Sequence, residues 1–389
     1  MAAPPPATTK AWSYTKGGFP RQALKLTTTH PLPVFPPNDT AAANEEWLLV
    51  RVSYAALNPG DILVMNVLPA ALRKTKTMVP GYDIVGTVLD VWTPPSSTQA
   101  ATTTTSSTAN PPPRFSVGDS IIAFIVLSHM LRTGAGGLQG VVAFPARFAV
   151  PLPRGKSPRE AAGLFLAACT AAQQVVEAGV GTGDRVLVFG ASGGVGSMAV
   201  QIARETVGAG GTVLAVCSGR NVEMVKGLGA DEVIDYTQFA KVEDELARRF
   251  GDQPFDAIVD GFGSQAVYKS CARYLKPGGI YSAAGVHASS MSVGPVLKSG
   301  LVMFANAIWP RSVWLGGTGR TWKAVSMMDP GRELMERLVG MFGEGKLRVA
   351  VDSEWPFEQV LEAYDVLVSG RARGKVIIKV NGEGGGDGE

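Results

Sequence analysis

Metal-binding and cross-linking side chains are scarce in this chain: 389 residues include three cysteines and three histidines. Cys169, Cys217 and Cys271 stand far apart and form no CxxC pair, which excludes a disulfide scaffold and a structural zinc ribbon. His30, His129 and His287 are equally dispersed, so no metal site is expected and each histidine reads as a surface or packing residue. Charge is scarce too. Charged residues make up 18% and the formal net charge is +3, with no long basic run, so no nucleic-acid partner is expected. The apolar runs stop short of the ~18 residues a membrane span needs, so no integral membrane segment is expected. The start, "MAAPPPATTKAWSYTK", lacks both an apolar core and an Arg-rich amphipathic stretch. Neither a secretory nor a mitochondrial address follows from it, and the cytoplasm is the expected location.

What the chain does have is apolar residues in two different rhythms. At 46% hydrophobic, its length suits two domains, each with its own core. Up to Pro153 the apolar runs are short and punctuated: "WLLVRVSYAALNP", "IVGTVLDVW", "DSIIAFIVL", "GVVAFPARFAV". That rhythm predicts a small barrel-like β domain. Within it, residues 93–113, "TPPSSTQAATTTTSSTANPPP", are low-complexity and predict a disordered surface loop. From Ser157 the rhythm changes. Ser157-Pro158-Arg159-Glu160 reads as a capping box with proline at the first helical position, opening one helix that ends near Gly179. Near-continuous apolar strands then alternate with helices: "RVLVF", "TVLAVC", "EVIDY", "FDAIVD" and "GGIYSAAG". Such strands are buried on both faces of a parallel sheet. Beyond about Pro310 come a helix, "VAVDSEWPF", another helix, "GKVIIKV" and a glycine-rich tail expected to be disordered. The chain therefore divides at 1–154, 155–310 and 311–389.

Between the strand "RVLVF" and the next helix lies the spacing GxxGxxG, formed by Gly190, Gly193 and Gly196. At a strand-to-helix turn this pattern predicts a dinucleotide site. The first glycine permits the turn, the next lets backbone N–H groups meet a pyrophosphate, and the last lets helix pack on strand. A site for NAD would place an acid at the end of the second strand. Here that strand ends "VLAVCSGRN" and the first acid is Glu223, already in the helix. Ser218 and Arg220 occupy the turn, suited to a 2′-phosphate, so NADPH is the expected cofactor.

Several stretches together resemble a known family: "AALNPGD", "VPGYDIVGTV", "FSVGDSI", "GASGGVG", "VCS", "LGADEVIDYT" and "RARGKVIIKV". The chain is similar over nearly its whole length to the medium-chain dehydrogenase/reductase superfamily, in the zinc-independent quinone-oxidoreductase-like branch. Within that branch it is similar to the reticulon-interacting mitochondrial oxidoreductases and the fungal Yim1-type proteins. The resemblance implies an α/β fold: a GroES-like β-barrel domain built from both chain ends, with a Rossmann-type doubly wound parallel sheet domain inserted. It implies that Ser192, Gly194 and Val195 meet the pyrophosphate, and that Ser218 and Tyr236 bind the 2′-phosphate. Gly261 and Ala284 would pass beneath the riboses, and Asn58 and Thr170 would line the nicotinamide end. Gly261 departs from the asparagine of close relatives, which removes one ribose hydrogen bond. As residues, Asn58 also reads as a turn former before Pro59, and Thr170 as a helical threonine bonded to its own turn.

Zinc-dependent relatives carry a His-Glu pair in the stretch that here reads Pro80-Gly81-Tyr82-Asp83. Without a Lewis acid, hydride addition to a quinone or an activated alkene (enone, enal or enoyl group) is easier than alcohol oxidation, because the acceptor spreads its own developing charge. Tyr54, Tyr82 and Asp61 are the polar residues of the β domain that come into question, and no general acid is assigned. Two other readings stand beside this one. The first is a cofactor-binding interaction or regulatory protein with weak reductase activity. The second is a trans-acting enoyl reductase of a polyketide pathway; such relatives tend to lose GxxGxxG, which this chain keeps. The apolar stretch "MFANAIWPRSVWLGG" (303–317) suits a bulky-substrate pocket, a homodimer edge or a lipid contact.

Overall fold

Two sheets and a small hairpin carry the fold, seen in a computed structural model that describes residues 8–35, 45–94, 114–288, 290–308, 316–325 and 329–382. The low-complexity loop from residue 95 to 113, the stretch 309–315 and the tail 383–389 lie outside the described residues. The hairpin, β1 (Thr8–Ser13) and β2 (Lys25–Pro31), is antiparallel. The β-rich rhythm that follows becomes β3 (Trp47–Leu57), β4 (Asp83–Trp92), β5 (Ser120–Phe124), β6 (Val141–Pro145) and β7 (Ala149–Pro151), all paired antiparallel.

The alternating part forms β8 (Arg185–Phe189), β9 (Thr212–Cys217), β10 (Glu232–Asp235), β11 (Phe255–Asp260), β12 (Leu275–Ala283) and β13 (Thr321–Ala324). These six strands are parallel in the order β10-β9-β8-β11-β12-β13. Successive residues of β8 explain its unbroken apolar run. Val186 and Val188 enter one core with the helices Phe165–Glu177 and Gly194–Val207. Leu187 and Phe189 enter another with Leu246, Phe250 and Tyr268 from helices on the opposite face. The order reverses between β8 and β11, and the crevice above that point is where such sheets take ligands.

The last strands return to the first sheet. β14 (Val351–Pro356) pairs parallel with β15 (Lys375–Lys379), and β15 zips antiparallel onto β3, with Val376 opposite Leu57 and Lys379 opposite Tyr54. The chain's two ends thus build one seven-stranded sheet.

Two expectations need correction. The parallel sheet runs past residue 310, because β13 adds to β12 after the helix Val293–Ile308. A four-residue strand, "TWKA", carries too weak an apolar signal to be read in advance. The helix expected from Ser157 to Gly179 is two helices, Pro158–Ala161 and Phe165–Glu177. Ser157 does cap the first, accepting from the Glu160 N–H at 3.4 Å. The break falls at Gly163, where a Cβ would meet Val349 at 2.9 Å and Lys375 at 3.0 Å. There the Leu166 N–H leaves the helix ladder and donates to the Asp83 carboxylate at 2.9 Å.

Candidate functional site

The turn after β8 sits at the reversal point, and its three glycines are not equivalent. Gly190 has φ +71°, and a Cβ on it would lie 2.9 Å from Cβ of Phe262. A Cβ on Gly196 would run into the Gly190 carbonyl. Both are glycine because the protein packs against them. Gly193 differs. Its φ of −80° suits any residue, and its nearest neighbour to a Cβ would be the Gly190 carbonyl oxygen at 3.5 Å, an ordinary contact. Gly193 is the N-cap of the helix Gly194–Val207, so the free N–H groups of that helix open at this bare position. Ser192, Gly194 and Val195 are half-buried around it.

Asn221 ties this turn to the end of β9, and the sequence reading missed it. Its Nδ2 donates to Ser192 Oγ at 2.9 Å and to Ser218 Oγ at 3.1 Å. Its Oδ1 is buried and has no partner among the described residues. The only advance signal was an asparagine at the mouth of a helix, which normally reads as a cap. Here it caps nothing and crosses to the neighbouring turn.

At the end of β9, Ser218 is half-buried and Arg220 exposed. Nη2 of Arg220 donates to the Arg371 carbonyl at 2.9 Å. Tyr236 presents an exposed ring beyond β10. The structure also brings in an acid that sequence distance hid: Asp235, at the end of β10, lies directly against Gly219. Bonds from the Thr237 hydroxyl, the Gln238 amide and the N–H groups of Thr237 and Gly219 hold its carboxyl below the usual range. On the other side of the crevice Gly261 donates its N–H to Phe189 O at 3.0 Å. A Cβ there would meet the Gly196 nitrogen at 3.0 Å, so helix and strand close together at that point. Ala284 is exposed, with its N–H on the Asp260 carbonyl at 3.0 Å.

Asn58, Lys375 and Asp83 form a buried polar knot. Asn58 is 2% exposed. Its Nδ2 donates to Ala56 O at 3.2 Å and Asp83 Oδ2 at 3.1 Å, and its Oδ1 accepts from Lys375 Nζ. Both amide protons are therefore committed inside the protein. Lys375 Nζ also donates to Asp83 Oδ2 at 3.1 Å. Thr170 donates its hydroxyl to Leu166 O at 2.7 Å, the helical back-bond that was one of its two readings. Tyr54 lies buried on β3, and buried Tyr82 stacks on Phe124 at 5.7 Å with its hydroxyl pKa pushed well up by desolvation. His129 is buried, its Nε2 on the Ala143 carbonyl at 3.1 Å, and burial pushes its pKa down to about 4. His287 stacks on exposed Phe262 with ring centres 4.2 Å apart, and His30 lies on β2.

Asp61 completes a capping box with Asn58, accepting its N–H at 2.8 Å, and also accepts the Gly81 N–H at 3.1 Å. Burial raises its pKa from 3.8 to about 7, outweighing those two donors. The folded state therefore holds a proton that the unfolded chain releases near pH 3.8. Stability from this group is full below that value, declines as pH rises, and is lost above about 7. The thermal midpoint should fall between pH 5 and pH 8 more steeply in the wild type than in Asp61→Asn. Parallel pH profiles of the two proteins would refute this.

A zinc ion does not fit these residues. The buried Asp83 carboxylate is spent on Lys375, Asn58 and the Leu166 N–H. Among the described residues no three His, Cys, Asp or Glu side chains gather into a metal-binding group, and Cys169 is fully buried with its thiol pKa pushed up. A nicotinamide dinucleotide does fit: Gly193 leaves space at the helix N-cap, and Asn221, bonded to Ser192 beside it, has an Oδ1 with no partner among the described residues.

A parallel sheet with this turn at its reversal point, beside an antiparallel sheet made from both chain ends, is the Rossmann-like and GroES-like architecture of an oxidoreductase. Residues 44–154 match the family described as alcohol dehydrogenase GroES-like domain, and residues 228–378 match that described as zinc-binding dehydrogenase. The chain is 32% identical over 393 residues to the medium chain reductase pydE of Acremonium sp, covering 96% of this chain and 100% of that protein. It is 31% identical over 387 residues to the trans-enoyl reductase pgmF of Aspergillus terreus, covering 98% and 99%. The solved quinone oxidoreductase from Coxiella burnetii shares the fold, with a TM-score of 0.70 at 23% identity over 96% of this chain and 99% of that one. The chain belongs to the medium-chain dehydrogenase/reductase superfamily, in its quinone-oxidoreductase-like branch.

Proposed function

We propose that the protein transfers hydride from NADPH to a carbon–carbon double bond conjugated with a carbonyl, or to a quinone. The carrying observation is the turn at Gly193, bare where the helix opens and wired through Asn221 to Ser218. In this reading Gly190, Ser192, Gly193, Gly194, Val195 and Gly196 hold the pyrophosphate. Ser218, Arg220 and Tyr236 hold the 2′-phosphate, and Gly261 and Ala284 pass beneath the riboses. Asn58 and Thr170 shape the nicotinamide end from behind, since their hydrogen-bonding groups are already engaged. Bound NADPH would supply the hydride. The chain supplies position and a dry crevice, and the acceptor's own conjugation carries the charge.

The relatives named trans-enoyl reductase favour a carrier-bound enoyl group as acceptor. Retention of GxxGxxG does not separate that reading from a general enone reductase, because Gly190 and Gly196 are demanded by packing alone. NADPH consumption with a small quinone, a simple enone, a pantetheine enoyl thioester and the same enoyl group on a carrier protein tests both. Turnover confined to the carrier-bound group selects the trans-acting reading, and no turnover on any acceptor favours a binding protein. A cytoplasmic location and a homodimer belong to the same proposal, the latter tested by light scattering. No helix among the described residues is long and apolar enough to cross a membrane.

For cofactor choice, NADPH should bind about tenfold more tightly than NADH, the ~1.4 kcal/mol of one charge-assisted contact. The preference is modest because Asp235 lies beside the same turn, although its lone pairs are occupied. Arg220→Asp should reverse it, and calorimetry giving equal affinities for the wild type would remove the idea.

A further inference from the structure

Three residues of the segment 371–375 touch three parts of the proposed dinucleotide site. The Arg371 carbonyl accepts from Arg220, at the 2′-phosphate end. Gly374 forms a parallel bridge with Gly193, at the pyrophosphate turn. Lys375 Nζ bonds Asn58 and Asp83, at the nicotinamide end. The segment has little freedom to do otherwise. Gly374 has φ +97°, and any Cβ would collide with the Ala350 carbonyl, to which the Lys375 N–H is bonded at 2.8 Å. The Arg373 N–H is held by Asp352 at 2.8 Å. The stem of Lys375 runs beneath the glycine turn, where a Cβ on Gly194 would meet its Cδ at 3.3 Å. A side chain only 4% exposed that passes the cofactor turn to bond a carboxylate at the start of β4 and a carboxamide just after β3 is more than a surface ion pair.

We propose that Lys375 is a positioning residue. It passes the seating of the pyrophosphate on Gly193 through Gly374 to Asn58, and so sets the nicotinamide end of the crevice. The proposal rests on the dinucleotide reading above. Lys375 itself touches no reacting atom. It acts through Asn58, whose carboxamide it orients by bonding Oδ1 while Asp83 and Ala56 hold Nδ2.

The test uses Lys375→Met/Asp83→Asn, which removes both buried charges together so that neither is left unpaired. The folded variant should keep the wild-type affinity for adenosine 2′,5′-bisphosphate, which reports only the adenosine end. Its NADPH affinity and its kcat with an enone should each fall roughly tenfold, and the change in nicotinamide fluorescence on binding should be lost. A purely structural pair would leave all of these unchanged in a folded variant, and that result would overturn the proposal. A second measurement needs no variant. In the wild type, 2′-phospho-ADP-ribose fills the pyrophosphate turn without a nicotinamide. It should slow hydrogen exchange at residues 374–376 and also at 56–61. Protection confined to the glycine turn would overturn the proposal even if the double variant fails to fold. Wild-type protein that binds neither NADPH nor NADH would instead overturn the dinucleotide reading, and this inference with it.

Discussion

Gly193→Val should cost at least a hundredfold in NADPH affinity while leaving the protein folded. The physical case rests on the difference among the three glycines. A side chain at Gly190 or Gly196 collides with the protein, so those variants report on folding. At Gly193 a Cβ makes only an ordinary 3.5 Å contact, and φ of −80° with ψ of 178° suits valine. The added methyl groups instead fill the space where backbone N–H groups should meet phosphate, at the positive end of the helix Gly194–Val207. Affinity should fall at least a hundredfold, roughly 3 kcal/mol. The midpoint without ligand should move little, while the upward shift on adding NADPH should vanish. A folded variant with a full NADPH-induced shift would mean that the turn is packing and nothing more.

Asp260→Ala should cause the largest loss of stability. Asp260 is fully buried at the tip of β11 and accepts the N–H groups of Phe262 and Gly263 at 2.8 Å, that of Ser264 at 2.6 Å, and the Tyr281 hydroxyl. Burial raises its pKa and these donors oppose that rise. Removing the carboxylate leaves four donors without an acceptor, in a site with little access to water. Each buried orphan costs about 1–3 kcal/mol, and they do not add fully, so a total of roughly 4 kcal/mol is expected. For a domain of this size that lowers the thermal midpoint by about 10 °C. Tyr281→Phe removes one donor and should cost only about 1 kcal/mol. An Asp260→Ala midpoint within a degree or two of the wild type would show that the loop finds other partners. The same variant should weaken NADPH, because Gly261 rests against Gly196 and the loosened loop no longer closes the crevice.

The parts of the site that were legible in the sequence are those made by neighbours along the chain. The glycine turn, the strand before it and the helix after it occupy Arg185 to Val207, and their periodicity announces each. Asn58 and Thr170 were expected at the nicotinamide end, and their contacts are internal: Asn58 bonds Lys375 and Asp83, and Thr170 its own helical turn. Whether a carboxamide faces a crevice or a buried lysine depends on a residue 317 positions away. Asp235 was passed over for a related reason: it belongs to β10, which is parallel to β9 and brings Asp235 beside Cys217. The broken helix at Gly163 likewise answers to Lys375 and Asp83, not to its own propensities.

By itself, the sequence determined the two rhythms of apolar residues, hence an antiparallel and a parallel sheet, and the turn chemistry that opens a helix toward an anion. These follow from backbone sterics and side-chain period, which act over a few residues. Only the tertiary structure decided that β15 would join β3 and that Lys375 would lie beneath the glycine turn. Only it decided that Asp83 would be spent on that lysine, and that burial would lift Asp61 toward neutrality. Desolvation and long-range pairing belong to the packed chain. A carboxylate in the sequence acquires its charge state, and a glycine its vacant space, only when distant segments close around it.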